Sequence, residues 1–180
     1  MWCDNEVTVE GPNEFLEEFL RFAAGETPFD FPQFIPYPEE FQRLDEIAEA
    51  WDREHGPDCD WHARPKDGFN SGGCEWRVEN WGAKWQPSPV KVEGPVTDDD
   101  EKTLRVVFHF DTPESPPTPV IKRAAELYPA LRFELCYFEC ECVCEGHFCW
   151  SGGEVVEEDD VCLVLEPTAK LRTELGGNPR

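Results

Sequence analysis

The sequence predicts an α+β domain built on an antiparallel sheet with helices packed against it. Three observations lead there. Some segments alternate apolar and polar residues with period two, others repeat apolar residues with the helical period, and the two kinds follow one another as strand, helix, strand pair, helix, strand. At 180 residues the chain has the length of one ordinary domain and can bury a core.

The elements follow in order. Glu6-Val7-Thr8-Val9, closed by Gly11-Pro12, reads as a first strand. Residues 13–24 place Phe15, Leu16, Phe19, Leu20 and Ala23 on one helical face, with Pro12 at the entry and Gly25 at the exit. Three prolines between Phe29 and Pro38 predict an extended segment over the core, because each removes a donor and fixes φ. Residues 39–54 predict a second amphipathic helix, with Phe41, Leu44, Ile47, Ala48 and Trp51 as its stripe and acids in its first turn. Residues 55–75, rich in Gly, Pro and Asp, read as an insertion.

Asp98-Asp99-Asp100-Glu101 is expected to be the hairpin loop before a strand in which Leu104, Val106, Phe108 and Phe110 point inward. Thr118-Pro119 reads as an N-cap with proline at the first helical position, opening a helix with Val120, Ile121, Ala124, Ala125 and Tyr128 on its apolar face. Residues 131–144 alternate as one long strand, with Leu131, Phe133, Leu135 and Tyr137 on one side. Residues 161–165 form a last short strand after the acidic stretch Glu157-Glu158-Asp159-Asp160. This order is ferredoxin-like, with two packed helices, an extra helix and a C-terminal β-hairpin, in a single domain spanning 1–165 and a flexible tail at 166–180.

Composition narrows the function. Sixteen Lys and Arg against 39 Asp and Glu give a net charge of −23, a field that repels nucleic acid and anionic membranes and favours a basic protein as partner. Seven Trp, 13 Phe and 39% apolar content argue against disorder. No apolar run has the roughly 18 residues of a membrane span. The start Met-Trp-Cys-Asp-Asn lacks a basic and an apolar leader region, so a cytoplasmic protein with reduced thiols is expected despite nine cysteines.

Four stretches resemble the YubB ferredoxin-like domain family, small proteins carried on plasmids and phages. They are Trp2-Cys3-x-Asn5 with Gly11-Pro12, then Phe31 through Ile35-Pro36-x-Pro38, then Glu79-Asn80-Trp81-Gly82-Ala83-Lys84-Trp85. The fourth is Phe110-x-Thr112 with Pro116-Pro117-x-Pro119-Val120-Ile121, running into Tyr128-Pro129 and Phe133-x-Leu135-x-Tyr137. Asn-Trp-Gly-x-Lys-Trp is the most specific of these. The chain departs from the family pattern in its cysteine density, its acidic runs and Glu114-Ser115. The resemblance implies a fold and a mobile-element setting, and brings no catalytic activity with it.

Trp81, Lys84 and Trp85 around Gly82 are candidates for holding a planar or acidic ligand, against the ordinary reading that such aromatics pack a corner. Pro113 to Pro119 reads as a stiff helix entry ahead of a proline-rich ligand. His55, Cys59, His62 and Cys74 carry donor types suited to Zn²⁺ in the segment with least core-forming sequence, and Cys59 with His62 is a possible dyad. Cys136, Cys140, Cys142 and Cys144 share a strand face near His147 and Cys149. Same-face neighbours lie about 7 Å apart, so without a facing partner such as Cys162 they are expected to be free thiols. The acidic runs Asp98, Asp99, Asp100, Glu101 and Glu157, Glu158, Asp159, Asp160 are candidate partner contacts that imitate a phosphate backbone, or solubilising loops. The function expected is a non-catalytic acidic interaction module that binds a basic host protein, inhibiting a defence or nucleic-acid-handling system. The alternative is a zinc-binding or thiol-dependent enzyme.

Overall fold

In a computed structural model the protein is described over residues 2–56, 60–97, 102–139 and 144–162. Period-two alternation makes strand β1 (Trp2–Pro12), with Cys3, Asn5, Val7 and Val9 turned into the core. Helix α1 (Asn13–Ala23) follows and buries Leu16, Phe19 and Ala23. Phe31–Phe34 forms a single helical turn, α2, where an extended segment was expected; Pro32 sits in its first turn, the one helical place where a missing N–H costs nothing. Helix α3 (Glu39–His55) matches expectation, although Ala48 is its one fully buried residue and Ile47 of the predicted stripe is exposed.

Residues 60–72 hold two 3₁₀ turns, Trp61–Ala63 and Phe69–Ser71. An ion-pair fork fastens them. The Arg64 guanidinium donates through Nε and a terminal nitrogen to the two Asp52 oxygens at 2.8 and 2.9 Å, and to Asp67 at 2.9 Å. Asp45 on α3 accepts from the Gly68 and Phe69 amides at 2.8 and 3.2 Å. Helix α4 (Gly73–Trp81) comes next and ends at Gly82, which takes φ 80°.

Strands β2 (Lys91–Thr97) and β3 (Thr103–Pro113) form the expected pair, and helix α5 (Thr118–Leu127) crosses back over the sheet. Thr118 is the first residue of α5 and does not cap it; Pro117 holds the cap position. The predicted long strand 131–144 is instead two strands of a hairpin, β4 (Arg132–Glu139) and β5 (Cys144–Ser151). The last strand, β6 (Glu154–Cys162), begins earlier than expected and takes in the acidic run at 157–160. Residues 98–101 and 163–180, with the acidic loop and the tail they were assigned, lie outside the described residues.

All neighbouring strands are antiparallel in the order β2-β3-β1-β4-β5-β6. The first four strands with α1 and α5 make the ferredoxin-like arrangement, and the β5–β6 hairpin widens it. The predicted inward residues Val7, Val9, Val106, Phe108, Phe133 and Leu135 are all buried, so the registers are right to the residue. Phe19 of α1 is the hub of the core, with ring centroids 5.3 Å from Phe133, 6.3 Å from Phe108 and 5.4 Å from Tyr128. Among the described residues no helix is long and apolar enough to cross a membrane.

Candidate functional site

Among the described residues the helices cover one face of the sheet and leave the other open. The side chains there line up across strands because the register is continuous. One row runs Lys91, His109, Glu6, Cys136, His147, Asp159, and each residue faces the next on the neighbouring strand. The row beside it runs Glu93, Val107, Thr8, Glu134, Cys149, Glu157. A third holds Asp111, Asp4, Phe138 and Glu145. Facing side chains lie about 5 Å apart, near enough for direct electrostatic coupling.

At one end of this face Asp4 and Asp111 stand directly opposite each other. Burial pushes the Asp111 carboxyl above its ordinary range, and the Asp4 charge pushes it further the same way. Among the described residues neither aspartate is joined to a cation. Two exposed aromatics flank the pair: Trp2, 53% exposed, on β1, and Phe138, 41% exposed, opposite Asp4. A depression of about 340 Å³ at this place is lined by Asp4, Glu6, His109, Asp111, Cys136 and Phe138. His109 is held between two carboxylates, 3.6 Å from Glu6 and 3.6 Å from Glu93.

Further along, His147 Nε2 lies 2.9 Å from Glu134 Oε1. Arg132 donates to Glu134 Oε2 at 3.0 Å and to Glu10 at 3.2 Å, which fixes the Glu134 carboxylate with Oε1 turned to the imidazole. Burial would raise the Glu134 carboxyl, but the His147 hydrogen bond and the Arg132 charge outweigh it and hold it below the ordinary carboxylate range. Ligand atoms of Glu134, Cys136 and His147 all lie within 4.8 Å of one another. Burial, then the charges of Glu134 and Glu6, push the Cys136 thiol up.

The open face therefore offers acids, two histidines and the two thiols of Cys136 and Cys149 on a rigid sheet. Comparisons with known proteins bear on the fold that carries it. Residues 94–162 match the family described as a ferredoxin-like domain in Api92-like protein, a stretch of less than half the chain. The chain is also similar to the crystal structure of protein api92 from Yersinia pseudotuberculosis, with a TM-score of 0.55 over 89% of this chain and 97% of that one, at 11% identity. This likeness is one of fold. No curated protein matches.

The residues singled out from sequence fall in several places. Trp81, proposed as a partner contact, is 1% exposed and belongs to the core; its Nε1–H donates to the Ile35 carbonyl at 2.8 Å. Gly82 sits against the Pro116 carbonyl, where a Cβ would come within 2.7 Å, and Ser115 Oγ donates to the Gly82 carbonyl at 2.5 Å. The Asn-Trp-Gly and Pro-rich stretches thus form one packed corner. Lys84 is paired with Glu114, and Trp85 is 48% exposed and stacks on Phe69 at 6.0 Å.

Glu157, Glu158 and Asp159 are exposed on the edge strand β6, with Glu157 and Asp159 opposite Cys149 and His147, while Asp160 contributes backbone pairing with Gly146. They line a sheet edge where a loop was expected. Asp98, Asp99, Asp100 and Glu101 lie outside the described residues. His55 stacks on Trp51 at 4.2 Å, with Nδ1 2.9 Å from the Trp51 carbonyl. His62 sits in the first 3₁₀ turn, Cys74 lies in α4, and Cys59 is outside the described residues. Among the described residues His55, His62 and Cys74 do not form a metal-sized group, and the Arg64 fork fastens the same segment. Cys3, Cys74, Cys136 and Cys149 are free thiols; Cys144, which was expected to be free unless a partner such as Cys162 faced it, is disulfide-bonded and faces Cys162 in the β5–β6 register, and Cys140 and Cys142 lie outside the described residues.

The sequence singled out neither Asp4 with Asp111 nor Glu134 with His147. Strand register is the signal that brings each pair together.

Proposed function

We propose that this protein is an acidic, non-catalytic interaction module that binds a basic protein through the open face of its sheet. The observation that carries this reading is the Asp4–Asp111 pair, two facing carboxyls hydrogen-bonded to each other and, among the described residues, with no cation between them, bracketed by exposed Trp2 and Phe138. Like charges placed directly across a strand pair cost stability, and a partner's Arg or Lys head entering between them would remove that cost. The aromatic rings would add cation–π attraction. The net charge of −23 would speed the encounter, with Glu157, Glu158 and Asp159 extending the acidic surface along β6. In this reading the kinship is with the YubB domains of mobile elements, the setting is a host cytoplasm, and the acidic face takes the place of a nucleic-acid backbone on a host protein.

The test is titration of the protein with an arginine-rich peptide, followed through Trp2 emission in wild type and a Trp2→Phe control. Affinity should fall steeply with added salt. It should also drop at least tenfold in Asp4→Asn/Asp111→Asn, while Glu17→Gln/Glu18→Gln, which removes equal charge from exposed positions of α1, changes it little. Equal losses in the two double variants would reduce the interaction to net charge and overturn the reading.

A further inference from the structure

We infer that Glu134, Cys136 and His147 form a divalent transition-metal site on the open sheet face, with Zn²⁺ as the ion their donor set fits. The inference stands apart from the basic-partner reading and rests on different residues. Three features point to it. The three side chains supply a carboxylate oxygen, a thiol sulfur and an imidazole nitrogen, the mixture that borderline Zn²⁺ accepts and that hard cations such as Mg²⁺ or Ca²⁺ do not. Their placement is rigid, because Cys136 faces His147 across the β4–β5 ladder and Glu134 lies two residues along the same strand, so all three emerge on one side.

Distances agree with this assignment. The ligand atoms lie within 4.8 Å of one another, and ligands about 2.0 to 2.3 Å from a tetrahedral Zn²⁺ sit roughly 3.5 Å apart, so side-chain rotation alone closes the set. The His147–Glu134 contact at 2.9 Å would open to admit the ion between the two atoms. The second feature is the outer support. Arg132 holds Glu134 Oε2 at 3.0 Å, which leaves Oε1 to bind metal in a fixed orientation.

The third feature is the space above the site. A depression of about 260 Å³ is lined by Cys136, His147, Glu145 and Asp159. Asp159, which faces His147 from β6 and lines this depression, is placed to serve as a fourth donor, directly or through water. Three protein ligands with one position open to solvent is the pattern of zinc sites that bind or activate a small molecule, whereas closed structural sites fill all four positions. The sequence concealed this site because cysteines of one strand cannot close around a metal, while a facing histidine on the next strand can.

The experiment uses the full chain with its Cys144 disulfide intact, stripped of metal and kept anaerobic, titrated with Co²⁺ and then with Zn²⁺ in competition with a chromophoric chelator. One equivalent of Co²⁺ should bind and produce a thiolate-to-Co²⁺ charge-transfer band that Zn²⁺ abolishes. Cys136→Ser should lose the band. His147→Ala and Glu134→Gln should each weaken Zn²⁺ binding tenfold or more, with far-UV circular dichroism verifying the fold. Cys74→Ser, in the loop-and-helix cluster suspected from sequence, should leave band and affinity intact. Arg132→Gln should weaken binding severalfold while keeping the band, since it touches a ligand and not the metal. A band that survives Cys136→Ser, one that vanishes in Cys74→Ser, or the absence of saturable one-to-one binding would each overturn the assignment.

Discussion

Replacing Trp81 by alanine tests whether the Asn-Trp-Gly corner is architecture. The indole is 1% exposed, its ring centroid lies 5.9 Å from Phe31, 5.8 Å from Tyr37 and 5.7 Å from Trp76, and its N–H satisfies the Ile35 carbonyl at 2.8 Å. Emptying such a site costs about 3–5 kcal/mol, and loss of the hydrogen bond adds about 1 kcal/mol. For a domain of this size that total lowers Tm by roughly 10–20 °C. Trp81→Phe keeps most of the ring volume and strands the Ile35 carbonyl, so its cost should be smaller, about 1–3 kcal/mol. Urea unfolding followed by far-UV circular dichroism measures both. A loss below about 1 kcal/mol in Trp81→Ala, with an unchanged denaturant slope, would refute the structural role and return the indole to the surface.

Two further outcomes follow from the titrating groups. The folded-state pKa of Asp111 is raised, so the native state holds a proton more tightly than the unfolded chain, and this contribution to stability is lost as pH rises from the ordinary aspartate range through the raised value. Asp111→Asn should therefore be more stable than wild type near neutral pH, with the advantage shrinking as pH falls; a Tm difference independent of pH would contradict this. Burial first, then the charges of Asp4, Glu139 and Asp111, push the Cys3 thiol up to about 12, so in reduced, metal-free protein near pH 8 alkylation followed by peptide mapping should label exposed Cys136 well before Cys3, and equal labelling rates in the folded state would contradict the buried placement.

The parts of the fold legible in the sequence were those set by local period. Alternation at Val7 and Val9, Val106 and Phe108, and Phe133 and Leu135 identified the inward face, because a one-residue slip would expose all of them. The hairpin between β4 and β5 was missed for an equally physical reason. Glu139-Cys140-Glu141-Cys142-Val143-Cys144 has no Gly, Pro, Asn or Asp to announce a turn, and its alternation reads as uninterrupted strand. The acidic run at 157–160 suggested a solvated loop by composition. An edge strand exposed to solvent tolerates the same residues, and charge there keeps other chains from adding to the sheet.

The candidate site was hidden at a different level. Asp4 and Asp111 are far apart along the chain, and neither belongs to a motif; they meet only because β3 pairs with β1 in the observed register. Glu134, Cys136 and His147 are close in sequence, yet reading 131–144 as one strand removed the facing partner that a metal requires. A pattern of one strand reports which face a residue takes, whereas function on a sheet is set by rows that run across strands. The row Lys91, His109, Glu6, Cys136, His147, Asp159 draws one residue from each of the six strands. No window along the chain contains it, and a shift of one residue in the pairing of any two strands would break it. Chemistry laid across a sheet in this way depends on the hydrophobic alternation of the opposite face, since the buried residues that fix register also align the row.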